Sequence, residues 1–339
     1  MQLNEIWFLV VGFLFIGYFV LDGFDFGVGM SLPFLGKDDT DRRVLINTIG
    51  PVWDLNETWV LVAGASLFAA FPEWYASLFS GFYLPLLLIL AALIARGVAF
   101  EYRGKGHTIG ANEAMWKSRF DWMIVIGSAL PALLWGVAFA NIVQGVPLNK
   151  DHVFTGNLFT LLNPYGLLGG LVTLTLFFTH GLVFITLKTD GEIKDRARAL
   201  AAKVGVIATA LAAVFLVWTL LAHFSVIGFI LTALAALSLI AALFANHFKR
   251  EGVSFSLLVF TIMTAVGSMF AALFPNVFPS TTDPAFSLTI DNASSSQYTL
   301  TVMSWVAVVM IPLVLLYQGW TYWVFRKRVS RKSIPAGSH

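Results

Sequence analysis

Two aspartates, Asp22 and Asp25, stand three residues apart inside the apolar run from Ile6 to Met30, and Asp54 and Glu57 repeat that spacing in Pro51-Val-Trp-Asp-Leu-Asn-Glu. On a helix, three residues apart means one face, with side chains about 4 to 5 Å apart along the axis. A carboxylate deep in a bilayer costs roughly 2.5–3.5 kcal/mol or more, so it persists mainly where the protein uses it. Carboxyls crowded in a low dielectric do not all ionise, and a set that holds protons at neutral pH can pass them on. The same set could bind a cation, if two or more stay ionised and backbone carbonyls complete the shell. A blander reading makes them interfacial groups that cap helix ends or pair with Arg42 and Arg43.

Other chemistry-bearing residues are sparse. The chain has no cysteine, which excludes disulfides, thiolate- or thioether-linked haem and any iron–sulfur cluster held by this chain alone. His180 falls inside an apolar run and His223 at the end of another, whereas His107, His152, His247 and His339 fall in loops or the tail. A lone histidine inside such a run is more often hydrogen-bonded to a neighbouring helix than a haem ligand. Eight methionines read as packing. No H-E-x-x-H, phosphate-cradling glycine loop or nucleophile elbow occurs, so hydrolysis and nucleotide binding have no visible apparatus. Glu101 and Asp121 are expected to pair with Arg103 and Arg119, and Asp291, Asn292 and Ser294 to Ser296 to satisfy backbone groups in a loop.

The elements that must position the acids follow from composition. Of 339 residues, 58% are hydrophobic and 12% charged, against roughly a quarter charged in soluble domains. This is an all-α polytopic membrane protein, one integral membrane domain over 1–339. A net charge of +2 with scattered basic residues gives no basis for nucleic-acid binding. Met1-Gln-Leu-Asn-Glu carries no basic residue, so the first run is expected to be retained as a span rather than cleaved.

Nine runs reach the length needed to cross about 30 Å of hydrocarbon, at approximately 6–32, 50–71, 75–96, 121–144, 164–187, 203–223, 226–246, 255–274 and 301–325. They are continuously apolar, so helices rather than barrel strands are expected. Of the 21 Lys and Arg, all but Lys150 follow odd-numbered runs. The positive-inside rule therefore places the N-terminus outside, the C-terminus in the cytoplasm and the four acids near the cytoplasmic face. Glycines 23, 27 and 29 thin the first helix beside its aspartates, which invites close approach by a neighbour. The connection from Pro275 to Tyr298 is expected to be an ordered external cap. Trp7, Trp59, Trp74, Tyr75, Trp116, Trp122, Trp320, Tyr322 and Trp323 lie near run ends and read as an interfacial belt.

At this point a family resemblance emerges. Leu21-Asp-Gly-Phe-Asp-Phe-Gly-Val-Gly-Met, Arg42-Arg-Val-Leu-Ile-Asn, Pro51-Val-Trp-Asp-Leu-Asn-Glu-Thr-Trp, Phe79-Ser-Gly-Phe-Tyr, Gly136-Val-Ala-Phe-Ala-Asn with Gln144-Gly-Val-Pro, and Asn163-Pro-Tyr-Gly-Leu-Leu together resemble subunit II of cytochrome bd-type quinol oxidases. The resemblance implies nine transmembrane helices as two four-helix bundles plus one peripheral helix, in the bacterial cytoplasmic (inner) membrane. It implies a haem-bearing subunit I as partner, holding the b and d haems, with no redox haem in this chain. It leaves small accessory subunits open as further partners, and in some relatives subunit II cradles a structural quinone in a lipid-facing groove. By the same resemblance, Asp54 is the proton-entry carboxylate and Asp25 a further relay, with Asp22 its helical neighbour. Trp53 shapes the entrance or the intersubunit contact. Glu57 stands where relatives also carry a neutral amide, and Glu101 where aspartate is expected. From another functional class, a proton- or cation-coupled transporter would also suit buried acids, although no matching pair of broken helices recurs in two halves.

Overall fold

The computed structural model describes residues 2–106, 110 and 112–334; His107 and His339 lie outside them. Its helices are α1 (Leu3–Leu35), α2 (Asp39–Ile49), α3 (Trp53–Ala70), α4 (Pro72–Gly81), α5 (Tyr83–Tyr102), α6 (Glu113–Gln144), α7 (Leu158–Leu161), α8 (Pro164–Lys188), α9 (Gly191–Ala222), α10 (Val226–His247), α11 (Glu251–Leu273) and α12 (Gln297–Val324). Polar residues just outside the apolar runs start them. The side chains of Asp38, Asn112, Asn163, Ser225 and Ser296 each accept a hydrogen bond from an orphan N–H of the first turn, which satisfies donors that no helical carbonyl can reach.

Among the described residues, eight helices are long and apolar enough to cross a membrane: α1, α5, α6 and α8 to α12. The second expected run is α3, whose 18 residues include Asp54 and Glu57. The third run, expected at 75–96, divides into α4 and α5 around Phe82. Pro85 has no N–H to offer the Gly81 carbonyl, so the ladder loses a bond there. Separation of α9 from α10 falls at His223 to Ser225, close to the expected 223–226 junction.

Helix α1 runs through the middle, packed against α3, α6, α8 and α11. Around it, α5 packs on α6, and α8 to α11 pack on one another, while α12 touches only α1 and α3 to any extent. The thinned stretch of α1 works as the glycines suggest. A Cβ on Gly27 would lie 2.1 Å from the Phe177 carbonyl oxygen and 2.7 Å from Gly181 Cα, so α1 and α8 touch backbone to backbone and neither position has room for a side chain.

At one end of the helices, β1 (Asn276–Phe278) and β2 (Leu288–Thr289) pair antiparallel within the expected ordered cap. Asn4 donates to Asp291 at 2.8 Å, and Asn292 accepts from the Thr289 N–H at 2.7 Å. The expected aromatic belt holds only in part. Trp122, Trp320 and Trp323 are exposed, whereas Trp7, Trp59 and Trp74 are buried. Trp59 lies where a Cβ on Gly17 would sit, 2.2 Å from its ring, and Trp7 donates to the Leu300 carbonyl; near a helix end, a neighbour with a gap captures an indole that lipid would otherwise meet.

Candidate functional site

The site forms where α1, α3 and α5 meet. The α1 aspartates point inward because their face of the helix carries them into the packed centre, and both are fully buried. Asp22 accepts from Arg96 Nη2 at 2.7 Å, and the same nitrogen donates to Glu57 at 2.8 Å. One guanidinium therefore joins carboxylates from α1 and α3. Arg96 is itself fully buried, and the ring of Phe26 covers its guanidinium at 4.4 Å. A buried charge of this kind persists only when paired.

Asp25 belongs to a second arm. Its Oδ2 accepts from Asn56 Nδ2 at 2.7 Å, and Asn56 Oδ1 accepts from Gln318 Nε2 at 2.8 Å and Tyr322 OH at 2.7 Å. The chain of bonds ties α1 through α3 to α12. Asp25 Oδ1 is buried with no hydrogen-bond partner among the described residues. Asp22 and Asp25 face one another along the helix at one turn, so the two arms share one acidic centre.

Asp54 stands apart. It is exposed, one turn before Glu57, and takes part in no ion pair among the described residues. Trp53, half-buried, stacks near Phe100 at 5.1 Å and lies over Gly97, next to Arg96 in sequence. The structure thus brings together Asp22, Asp25 and Glu57 and leaves Asp54 at the rim with Trp53.

Two expectations about cations change and a third is met in part. Arg96, counted among the loop cations, is inside α5 and is the counter-ion of the cluster. Arg42 pairs with Asp121 at 3.0 Å rather than with the acids of α1 and α3. Asp121 does meet Arg103, at 2.6 Å, while Arg119 and Glu101 are exposed. Sequence reading assigned no role to Asn56 or Gln318, and Tyr322 read only as part of the interfacial belt. Signals for Arg96 and Gln318 were present: Arg96 ends a stretch from Leu84 without another charge, and Gln318 is the lone amide in the apolar body of α12.

Beyond the helix ends on this side, ion pairs bind the connections. Arg331 reaches Asp38 at 2.7 Å and also Asp41, which accepts from Arg196 at 2.8 Å as well. Arg103 and Lys117 both contact Asp39. The bond from Arg331 holds the Asp38 carboxyl below its ordinary value; for Asp39, burial opposes ionisation but the bonds from Arg103 outweigh it, and the result is again a lowered value.

His180 is buried; its Nε2 lies 3.1 Å from the Val20 carbonyl and its ring stacks on Phe255 at 4.9 Å. Among the described residues no three His, Cys, Asp or Glu side chains gather as a metal site. Two spaces remain. An apolar cavity of about 220 Å³ lies among α6 and α8 to α11, bordered by Phe19, Trp135, Phe139, Leu176 and Phe215. A groove of about 560 Å³ runs between α3 and α4–α5, with Glu57 at its polar end and Val60, Gly64, Phe68, Tyr75 and Tyr83 along it.

A bundle of long apolar helices around a buried Asp–Arg–Glu cluster defines a polytopic membrane protein with an internal polar centre. The family model for cytochrome bd terminal oxidase subunit II matches residues 3–325, and the chain belongs to that family. It is 43% identical to cytochrome bd ubiquinol oxidase subunit 2 of Bacillus subtilis (strain 168) over 337 residues, covering 98% of each chain. It is 40% identical to cytochrome bd-I ubiquinol oxidase subunit 2 of Escherichia coli (strain K12), covering 99% of this chain and 98% of the relative. In fold it is similar to the bd oxidase from Geobacillus thermodenitrificans, with a TM-score of 0.77 at 18% identity over 96% of this chain and 100% of that chain. Relatives of this chain are therefore subunits of an oxidoreductase complex, and the chain is a bacterial multi-pass membrane protein.

Proposed function

We propose that the chain is the haem-free subunit II of a quinol:oxygen oxidoreductase of the bacterial cytoplasmic (inner) membrane, supporting a haem-bearing subunit I and supplying part of a cytoplasmic proton-uptake path. The observation that carries this reading is the cluster of the buried Asp22 and Asp25 with the half-buried Glu57, in which the single guanidinium of Arg96 bonds Asp22 and Glu57. Three carboxyls to one fixed cation leave a site that is neutral overall only when it holds protons, and a low dielectric favours neutrality. Reduction of oxygen to water consumes protons, and conserving energy requires drawing them from the cytoplasm. The Lys- and Arg-rich end of the helices, where Asp54 and Trp53 lie at the rim, supports uptake from that side.

The same reading takes α3 and the α4–α5 pair as crossings beside the other helices, giving nine. Helices α1, α3, α5 and α6 then form one four-helix bundle, α8 to α11 a second, and α12 the peripheral helix, with the N-terminus outside. The exposed apolar face of α12 suits lipid or the larger subunit. The groove beside Glu57 has apolar walls and a polar end that suit a structural quinone.

In the assembled complex, Asp54→Asn is expected to slow quinol-driven oxygen consumption about tenfold and Asp25→Asn more weakly, roughly a factor of a few for each lost proton-transfer step, with the b and d haem bands unchanged. Unchanged turnover would remove these acids from the path; loss of haem with unassembled subunits would make them structural.

A further inference from the structure

Asp54 is the exposed acid, yet no hydrogen bond or ion pair connects it to Asp25 among the described residues. A different opening does reach Asp25's neighbours. A cavity of about 360 Å³ lies between the α2–α3 connection, the end of α8 and the chain following α12, bordered by Thr48, Val52, Lys188, Tyr322, Arg326 and Arg328. Tyr322 spans from this cavity to the buried network, where its hydroxyl donates to Asn56 Oδ1.

We propose that this cavity is a water-filled entrance through which protons reach Asp25, with Asn56 and Tyr322 as positioning residues that decide which carboxyl oxygen receives them. The inference deepens the proton-uptake reading above and rests on it.

The hydrogen-bond chemistry sets the atom. Asn56 Nδ2 donates to Asp25 Oδ2, so that oxygen is engaged as an acceptor. Two donors, Gln318 Nε2 and Tyr322 OH, converge on Asn56 Oδ1 and hold the amide in that orientation. Oδ1 of Asp25 is buried and unpartnered, so it is the oxygen left to take a proton. An amide is a poor proton carrier, so the proton passes over water to Oδ1 rather than through Asn56. The step is one O–H bond broken in a hydronium ion, which is left as neutral water, and one formed on Oδ1, with Asp25 going from charged to neutral. Asp22, one turn away on the same face, is the next acceptor.

The cations at the rim do not close the entrance. Arg328 is paired with Asp190 at 2.6 Å, Lys188 donates to the carbonyls of Phe325 and Lys327, and Arg326 donates to the Trp323 carbonyl over its ring. Protons at neutral pH arrive on water and anionic buffer, which such a rim attracts.

Because this chain has no cysteine, single introduced thiols can be followed by mass in the intact two-subunit complex. A charged methanethiosulfonate reagent is expected to label Tyr322→Cys within about tenfold of the rate at the rim control Arg328→Cys. Labelling Thr48→Cys, which fills the cavity and leaves Tyr322 in place, is expected to lower turnover at least fivefold. Tyr322→Phe is expected to lower kcat two- to fivefold at unchanged KM for quinol, and to move the carboxyl stretch that Asp25→Asn removes from infrared difference spectra. An unlabelled Tyr322→Cys beside a labelled Arg328→Cys, or full turnover with the cavity filled, overturns the entrance. A carboxyl stretch that stays in place overturns the positioning role. If Asp25→Asn slows turnover while the filled cavity does not, uptake by another route stands and this entrance falls; if Asp25→Asn has no effect, the proton-path reading itself fails.

Discussion

Replacing Arg96 by glutamine tests the acidic centre most directly. Arg96 and Asp22 are both fully buried and bonded at 2.7 Å, whereas the Glu57 side chain is 23% exposed. Removing the guanidinium leaves Asp22 as an uncompensated buried charge, a change that costs about 3–5 kcal/mol where one partner of a buried pair is lost. Glu57 adds less, since water at the groove solvates it in part. A loss of this size corresponds to a fall in melting temperature of roughly 10 °C, measured on the detergent-purified complex by the loss of folded signal. The structure also specifies a rescue. Asp22→Leu combined with Arg96→Met replaces the pair by apolar side chains and leaves Glu57, which is partly solvated, and Asp25, which Asn56 still holds, so the double variant is expected to recover more than half of the lost stability. A melting temperature within about 2 °C of the parent for Arg96→Gln would refute the pairing argument. So would a double variant less stable than the single one.

Other outcomes follow from the packing and the helix-end charges. Gly27→Ala forces a methyl into the α8 backbone and is expected to destabilise by about 1–3 kcal/mol or to block assembly, whereas Gly64→Ala, which meets nothing within 4 Å, is neutral in the same melting assay. Asp38 and Asp39 are both held below the ordinary carboxylate value of 3.8. Their contribution is therefore complete above that value and is lost as pH falls below it. A spin label on Ser333→Cys should stay immobile down to about pH 4 and become mobile below it, and Arg331→Gln should make it mobile already at neutral pH; mobility independent of both would show that other contacts hold the C-terminal segment. Gly64→Phe, which fills the groove beside Glu57, is expected to reduce the quinone that co-purifies with the complex while the haem bands persist, and retained quinone would place it elsewhere.

Membrane helices are unusually open to sequence reading, because hydropathy is summed along the chain and needs no knowledge of neighbours. The expected runs at 6–32, 121–144, 164–187 and 226–246 therefore lie within α1, α6, α8 and α10 to within a few residues. The run at 75–96 shows the limit, since a proline inside an apolar stretch changes the helix without changing hydropathy. Asp22, Asp25 and Glu57 could be singled out because an acid in an apolar run is conspicuous by its cost, whatever surrounds it.

The partners of those acids were decided by tertiary structure alone. Arg96 sits 74 residues from Asp22, and Gln318 and Tyr322 sit 262 and 266 residues from Asn56; no periodicity within one helix encodes which face of a distant helix will meet it. A charge count along the chain assigns Arg96 to a loop, and only the packing of α5 on α1 and α3 makes it a buried counter-ion. Asp54 and Glu57 look equivalent in sequence, one turn apart on one helix. Packing separates them, because the three-residue step leaves the two acids about 60° apart around α3, enough to bring Glu57 under Arg96 and leave Asp54 facing out.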